Sequence, residues 1–204
     1  MSEPDIEKQV SDGLIVSAAI VSGTTVSIHT ASKKDVESLY SAVSPVAIES
    51  SRHIEKTNAK GIHREYYLEL ANSDTHSVEN EYDFEWNTRP IWQLTFEPTQ
   101  YFQQRMFNWF DVDKIQKAPT DFKITPLIAK ICYFSGAHEL AGKDGEPYIE
   151  INMANFQKLE AELQNIDVQT INVRNLWRLD VKNSKKFREY AEVPTPTAQV
   201  NTGG

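Results

Sequence analysis

The stretch YDFEWNTRPIWQLTF, from Tyr82 to Phe96, decides the first reading of this chain. Tyr82, Phe84 and Trp86 alternate with Asp83 and Glu85, and after Asn87–Pro90 the alternation returns as Trp92, Leu94 and Phe96. A period of two, with rings on one side and carboxylates on the other, describes a strand buried on one face only. The stretch therefore predicts an antiparallel hairpin. Ten of the chain's twenty-one aromatic residues lie between Tyr82 and Phe110. Rings bring large buried area per residue, so the fold, or a contact, is anchored here.

On the C-terminal side, Pro98 ends the strand and Thr99 is placed to cap a helix. Phe102, Met106, Trp109 and Phe110 follow at i, i+4, i+7 and i+8, which predicts an amphipathic helix near 100–110. Tyr101 and Phe107 fall off that stripe and are candidate interface rings, with Arg105 beside them. Lys123–Phe134 reads as an interrupted strand with Pro126 at an edge or bend. His138–Leu140 and Tyr148–Ile151 flank a Lys143-Asp144-Gly145 turn, and Phe156, Leu159 and Leu163 mark a helix near Ala154–Asn165. Ile171, Val173, Trp177, Leu179 and Val181 share one parity and read as one long strand.

On the N-terminal side, Leu14–Val21 and Thr24–His29 flank Ser22-Gly23 as a second hairpin. Ser32 is a helix cap with Asp35 three positions on, and Val36, Leu39, Tyr40 and Val43 carry the stripe up to Pro45. The expected fold class is α+β: mainly antiparallel sheet with two or three amphipathic helices and extended N- and C-terminal arms. Residues 1–12 are expected as a flexible arm, 13–190 as a single domain, and 191–204 as an extended tail. No repeat at solenoid or propeller period is visible.

The formal net charge of −8 disfavours nucleic acid as a partner and disfavours adsorption to anionic membrane. The one cysteine, Cys132, forms no intrachain disulfide, and Met1–Gln9 is acidic and polar, unlike a secretory signal. No apolar run is long enough to span a bilayer, so the expected location is cytoplasmic, or a virion if the chain is an assembly subunit.

No phosphate loop, zinc spacing or nucleophile elbow occurs. Asp111-Val112-Asp113 lacks the later ligands of a calcium loop, and His138-Glu139 reads as a surface pair at a strand edge. The expectation is therefore no enzyme, no cofactor and no metal. Charge is asymmetric: Glu65, Glu69, Asp74, Glu79, Glu81, Asp83 and Glu85 make an acidic stretch, while Arg174, Arg178, Lys182, Lys185, Lys186 and Arg188 make a basic one. The basic stretch pairs within the molecule or touches a partner. Expected interaction residues are Tyr101, Arg105, Phe107, Arg174, Arg178 and Lys182.

The leading expectation is a structural or assembly subunit, of the kind found in a virus or phage, that self-associates through protein–protein contacts. The alternatives are a monomeric binding or inhibitory protein acting on a partner protein, and an enzyme whose catalytic groups converge without a sequence motif.

Overall fold

A computed structural model describes residues 3–17, 19–22, 24–30, 32–58, 90–110, 117–141, 147–153, 157–173 and 176–194. The order of elements is α1 (Glu3–Val16), β1 (Ile20–Ser22), β2 (Thr25–Thr30), α2 (Lys33–Ala42), β3 (His53–Asn58), β4 (Pro90–Phe96) and α3 (Gln100–Phe107). Then come α4 (Pro126–Gly136), β5 (Ala137–Ala141), β6 (Pro147–Ile151), α5 (Gln157–Asn165), β7 (Ile171–Val173), β8 (Leu176–Leu179) and α6 (Val181–Tyr190). Each group of seven reads helix, two strands, helix, two strands, helix. The sheets repeat too: β1-β2-β4-β3 in the first half and β5-β6-β8-β7 in the second, all antiparallel. The α+β class with antiparallel sheets is therefore as expected. Among the described residues six helices are present, more than the two or three expected. The topology is duplicated although the sequence shows no repeat.

Several elements form for the reasons their residues announce. The Ser32 hydroxyl accepts from the Asp35 N–H at 3.4 Å and starts α2, whose Val36 and Leu39 are buried. Thr99 accepts from the Phe102 N–H at 3.4 Å and starts α3. Strand β4 buries Leu94 and Phe96 as the alternation requires. It is a central strand, however, with β2 along one edge (Thr30 opposite Trp92) and β3 along the other (Lys56 opposite Trp92). Both edges are filled, so 92–96 cannot pair with 82–86 as the hairpin reading required. Residues 82–86 lie outside the described residues.

Three other expectations are corrected. Residues 3–16 are not an arm but a helix, with Ile6, Val10 and Leu14 spaced four apart along one side. The Leu14–Val21 run is split: its first part completes α1, and β1 begins only at Ile20. Lys123–Phe134 is not a strand. Thr125 accepts from the Ile128 N–H at 3.3 Å, and Pro126 supplies the preset φ of a first helical turn. The long C-terminal strand is instead the pair β7 and β8 followed by α6, which Asp180 caps through the Asn183 N–H at 2.8 Å. At the C-terminus, Ala191 and Val193 are buried against the body, and 195–204 lie outside the described residues. No described helix is long and apolar enough to cross a membrane.

The halves are interlocked through α1 and α4. Val10 and Leu14 of α1 enter the first core, but Val16 enters the second. Ile128, Ala129 and Cys132 of α4 enter the second core, but Ile131 enters the first. Trp109, at the end of the first half, packs edge-on against Phe122 in the second core, with centroids 5.0 Å apart. The two helices approach closely at Gly13. A Cβ there would meet Ile131 side-chain carbons at 3.1 to 3.3 Å. The Cys132 thiol, pushed up to about 12 by complete burial, lies 3.9 Å from the Gly13 carbonyl.

Gly13→Ala tests this packing. Alanine in a helix interior gains about 0.5–1 kcal/mol over glycine, while forcing a methyl into a full core costs about 1–3 kcal/mol. The expected result is a net loss of stability, seen as a lower urea midpoint with an unchanged slope. A raised midpoint would show that the two helices do not come this close.

Candidate functional site

Two arrangements of polar residues stand out, one inside and one outside. The inner one centres on Asp12 of α1, which is fully buried. Its Oδ1 accepts from Arg105 Nε at 2.7 Å and from the Trp109 indole N–H at 2.8 Å. Its Oδ2 accepts from Arg105 Nη2 at 2.9 Å and from Lys8 Nζ at 3.2 Å. The same guanidinium reaches Asp121, with Nη2 to Oδ1 at 3.1 Å and Nη1 to Oδ2 at 3.3 Å. Lys8 also donates to the Asp121 carbonyl at 3.1 Å. Two carboxylates thus face two cations, and most of the donors that would otherwise be stranded have acceptors. The fork of Arg105 joins α1, α3 and the segment that leads into α4.

The charges follow from this geometry. Burial by itself disfavours the Arg105 cation, but hydrogen bonds and the negative charge of Asp12 and Asp121 outweigh it and hold the guanidinium more firmly protonated than usual. Partial burial tends to raise the Asp121 carboxyl, yet Arg105 and then Lys8 pull it below its ordinary 3.8. Arg105 is therefore a structural residue, 8% exposed, and not the interface residue that its place on the helix suggested.

A related bond closes the second half. Glu139 of β5 accepts from the Tyr133 hydroxyl at 2.7 Å and from Arg188 Nη1 of α6 at 3.0 Å. Burial, followed by this bond to Glu139, raises the phenol of Tyr133. In each half a buried arginine of the closing helix pins an acid from an earlier element. Glu139 faces inward and His138 outward on β5, so the two are not one surface pair.

The outer arrangement is built by strand parity. On β2, Val26, Ile28 and Thr30 turn to the core, leaving Ser27 and His29 on the opposite face. On β4 the same face carries Gln93 and Thr95, directly opposite His29 and Ser27, and on β3 it carries His53 and Glu55, both exposed. Gln93 Nε2 donates to Thr95 Oγ1 at 3.2 Å and to Ser27 Oγ at 3.5 Å. In the second sheet the corresponding face carries His138, Glu150, Arg178 and Ile171 in one cross-strand row, with Leu140 opposite Tyr148 in another. Arg178 Nε donates to Glu150 Oε1 at 2.7 Å, and its guanidinium lies 5.6 Å from the Tyr148 ring centroid.

The other expected interaction residues scatter. Phe107 is 73% exposed and Tyr101 is half-buried, so the two rings of α3 do not form one face. Arg174 lies outside the described residues, as do the acidic stretch 65–85 and Asp111–Asp113. The basic residues that remain do not share a side. Arg178 faces out from its sheet, Arg188 is buried, Lys182 is exposed on α6, and Lys186 pairs with Asp167. Among the described residues no group of three His, Cys, Asp or Glu side chains is placed to hold a metal ion. The Asp12 cluster escaped the sequence reading because its members lie far apart in the chain. Asp12 to Arg105 spans 93 positions.

No protein-family description and no curated protein matches this chain. A solved structure does: the crystal structure of the N-terminal LAGLIDADG domain of DUF199/WhiA, at a TM-score of 0.52 and 15% identity, covering 96% of this chain and 86% of that one. The likeness is one of fold. It corrects two expectations. The virion, structural-protein, assembly and oligomer reading rested on arms and charge blocks, and the exclusion of nucleic acid rested on net charge. The fold instead is similar to that of a LAGLIDADG domain, so neither the virion reading nor the exclusion of nucleic acid by net charge is kept.

The inner cluster predicts that Arg105→Ala costs about 3–5 kcal/mol, since it leaves a fully buried carboxylate without its main partner. Chemical denaturation measures it. A loss under 1 kcal/mol, the size expected for an exposed pair such as Lys33–Glu37, would mean that water reaches Asp12. The pH dependence has a defined sign. Because the Asp121 carboxyl is lowered in the folded state, its contribution is present above 3.8 and is lost as pH falls through the lower folded value. Asp121→Asn should therefore flatten the acid limb of the melting-temperature profile. An unchanged limb would place the acid sensitivity elsewhere.

Proposed function

We infer that this chain is a nucleic-acid-binding module that takes a duplex against the outer faces of its two sheets. The observation that carries this reading is the pair of outward sheet faces, each lined in strand register by polar side chains. Both sheets have the same strand order, and both cover one side with their own helices. Both turn outward a face rich in hydrogen-bonding side chains: Ser27, Gln93, Thr95 and His53 in one, His138, Tyr148, Glu150 and Arg178 in the other. Antiparallel strands fit a duplex groove and present alternate side chains to base edges. Amides, hydroxyls, imidazoles and guanidinium are the groups that such edges accept. The likeness to a LAGLIDADG domain supports the same reading.

The net charge of −8 shapes this function without opposing it. The stretch 59–89 alone holds seven carboxylates against three basic residues. Few phosphates are neutralised by the described outer faces, so affinity rests on base-edge contacts more than on counterion release. No catalytic step is part of this reading, and a cytoplasmic location suits its single buried cysteine.

Fluorescence anisotropy with a labelled 30-base-pair duplex of mixed sequence, titrated from low salt upward, tests the proposal. Binding should appear at low salt with a shallow dependence, equivalent to roughly two or three phosphates. Gln93→Glu, which adds a charge to the outer face, should weaken binding about tenfold, the scale of one lost polar contact. Lys185→Glu on α6 should leave it unchanged. The reverse ranking, or no binding to any duplex, removes the outer faces as the docking surface.

A further inference from the structure

The two outer faces are equal in topology but not in chemistry. Among the described residues, the first face carries amide, hydroxyl and imidazole groups with Glu55, and no arginine or lysine. The second carries one guanidinium, Arg178, on the central strand β8. That guanidinium is held on two sides. Glu150, directly across the ladder on β6, accepts from Nε on its Oε1 and forms an ion pair with Nη2. The Tyr148 ring lies against it at 5.6 Å. Its side chain nonetheless remains 43% exposed, while that of Glu150 is 13% exposed. The carboxylate is the buried buttress and the guanidinium is the part that meets solvent.

Arginine has five N–H groups in one plane. Glu150 takes the Nε N–H and pairs in charge with Nη2. The end of the fork, both N–H groups of Nη1 and the second of Nη2, is not spent on that bond. Two parallel donors in that spacing match the O6 and N7 acceptors of guanine in the major groove, and no other base offers that pair of acceptors. A guanidinium already fixed by a carboxylate and a ring loses less side-chain freedom when it binds.

We propose that Arg178, buttressed by Glu150 and Tyr148, is a specificity-determining residue that reads one guanine, so that the second sheet imposes a G·C pair which the first sheet does not impose. This rests on the duplex reading above and goes beyond it: the bound sequence is asymmetric, with guanine demanded on one side of its centre. Glu150 acts through Arg178 and is a positioning residue.

Selection from a pool of duplexes with a randomised 20-base-pair core, read by sequencing, tests the proposal with the full chain. The expected outcome is an enriched motif with one invariant guanine. In the selected duplex, replacing that guanine with 7-deazaguanine, or with adenine, lowers affinity about 10- to 100-fold. Arg178→Met keeps the length of the side chain but has no donor, and should bind the guanine and adenine duplexes equally. Glu150→Gln should narrow the discrimination while leaving non-specific affinity in place. Circular dichroism melts confirm that each variant is folded, and Arg178→Ala stands in if Arg178→Met is not. If no duplex is enriched, the binding reading itself fails. If a motif is enriched but Arg178→Met still prefers guanine at every position, or the motif contains no invariant guanine, the duplex reading stands and the role of Arg178 is overturned.

Discussion

A carboxylate without water is the constraint on which the first half of this molecule is arranged. Asp12 sits on a helix that must also supply Val10, Leu14 and Val16 to two cores. Taken out of water alone, its charge would be costly. Arg105, Trp109 and Lys8 converge on it, and to do so they bring α3 and the segment before α4 to defined positions along α1. Breaking one partner strands the others, which is why such clusters fix geometry more than they add stability. The second half gathers Tyr133 and Arg188 on Glu139, a strand-borne acid, and there Glu139 Oε2 and Arg188 Nε are buried without a hydrogen-bond partner.

This arrangement accounts for what was legible in the sequence and what was not. Local rules worked where local chemistry decides. Ser32 and Asp35, Thr99 and Phe102, and the alternation of Trp92, Leu94 and Phe96 all found their elements. They failed for α1 because three of its buried positions, Gln9, Ser11 and Asp12, are polar and hide the spacing of Ile6, Val10 and Leu14. They failed for α4 because a helix buried on nearly all sides has no polar face to set its period. There Thr125 and Pro126 are the surviving signal, a cap followed by a first-turn proline, whereas the strand reading takes Pro126 as an edge or bend. They failed again at Val181, where parity ran on past Asp180 although that residue is a helix cap.

The outer faces were half legible. Arg178 was singled out from its charge, and the structure places it outward with Glu150 and Tyr148 as supports. Its neighbours Arg188 and Arg105 carry the same charge but are enclosed, because residue type alone does not separate a surface cation from one that neutralises a buried acid. Gln93, His53 and His138 drew no notice as an interaction surface. They become one only when strand order places them side by side, and strand order is a long-range property.

The exchange of Val16 and Ile131 between the two cores makes each half a lock for the other. Severing the chain between Phe107 and Pro126 would leave each fragment with a hydrophobic socket lacking its plug: one shorn of Ile131, the other of both Val16 and Trp109. Neither piece holds the full set of side chains that fills its own interior. The duplicated topology is therefore not a pair of beads on a string but a clasp.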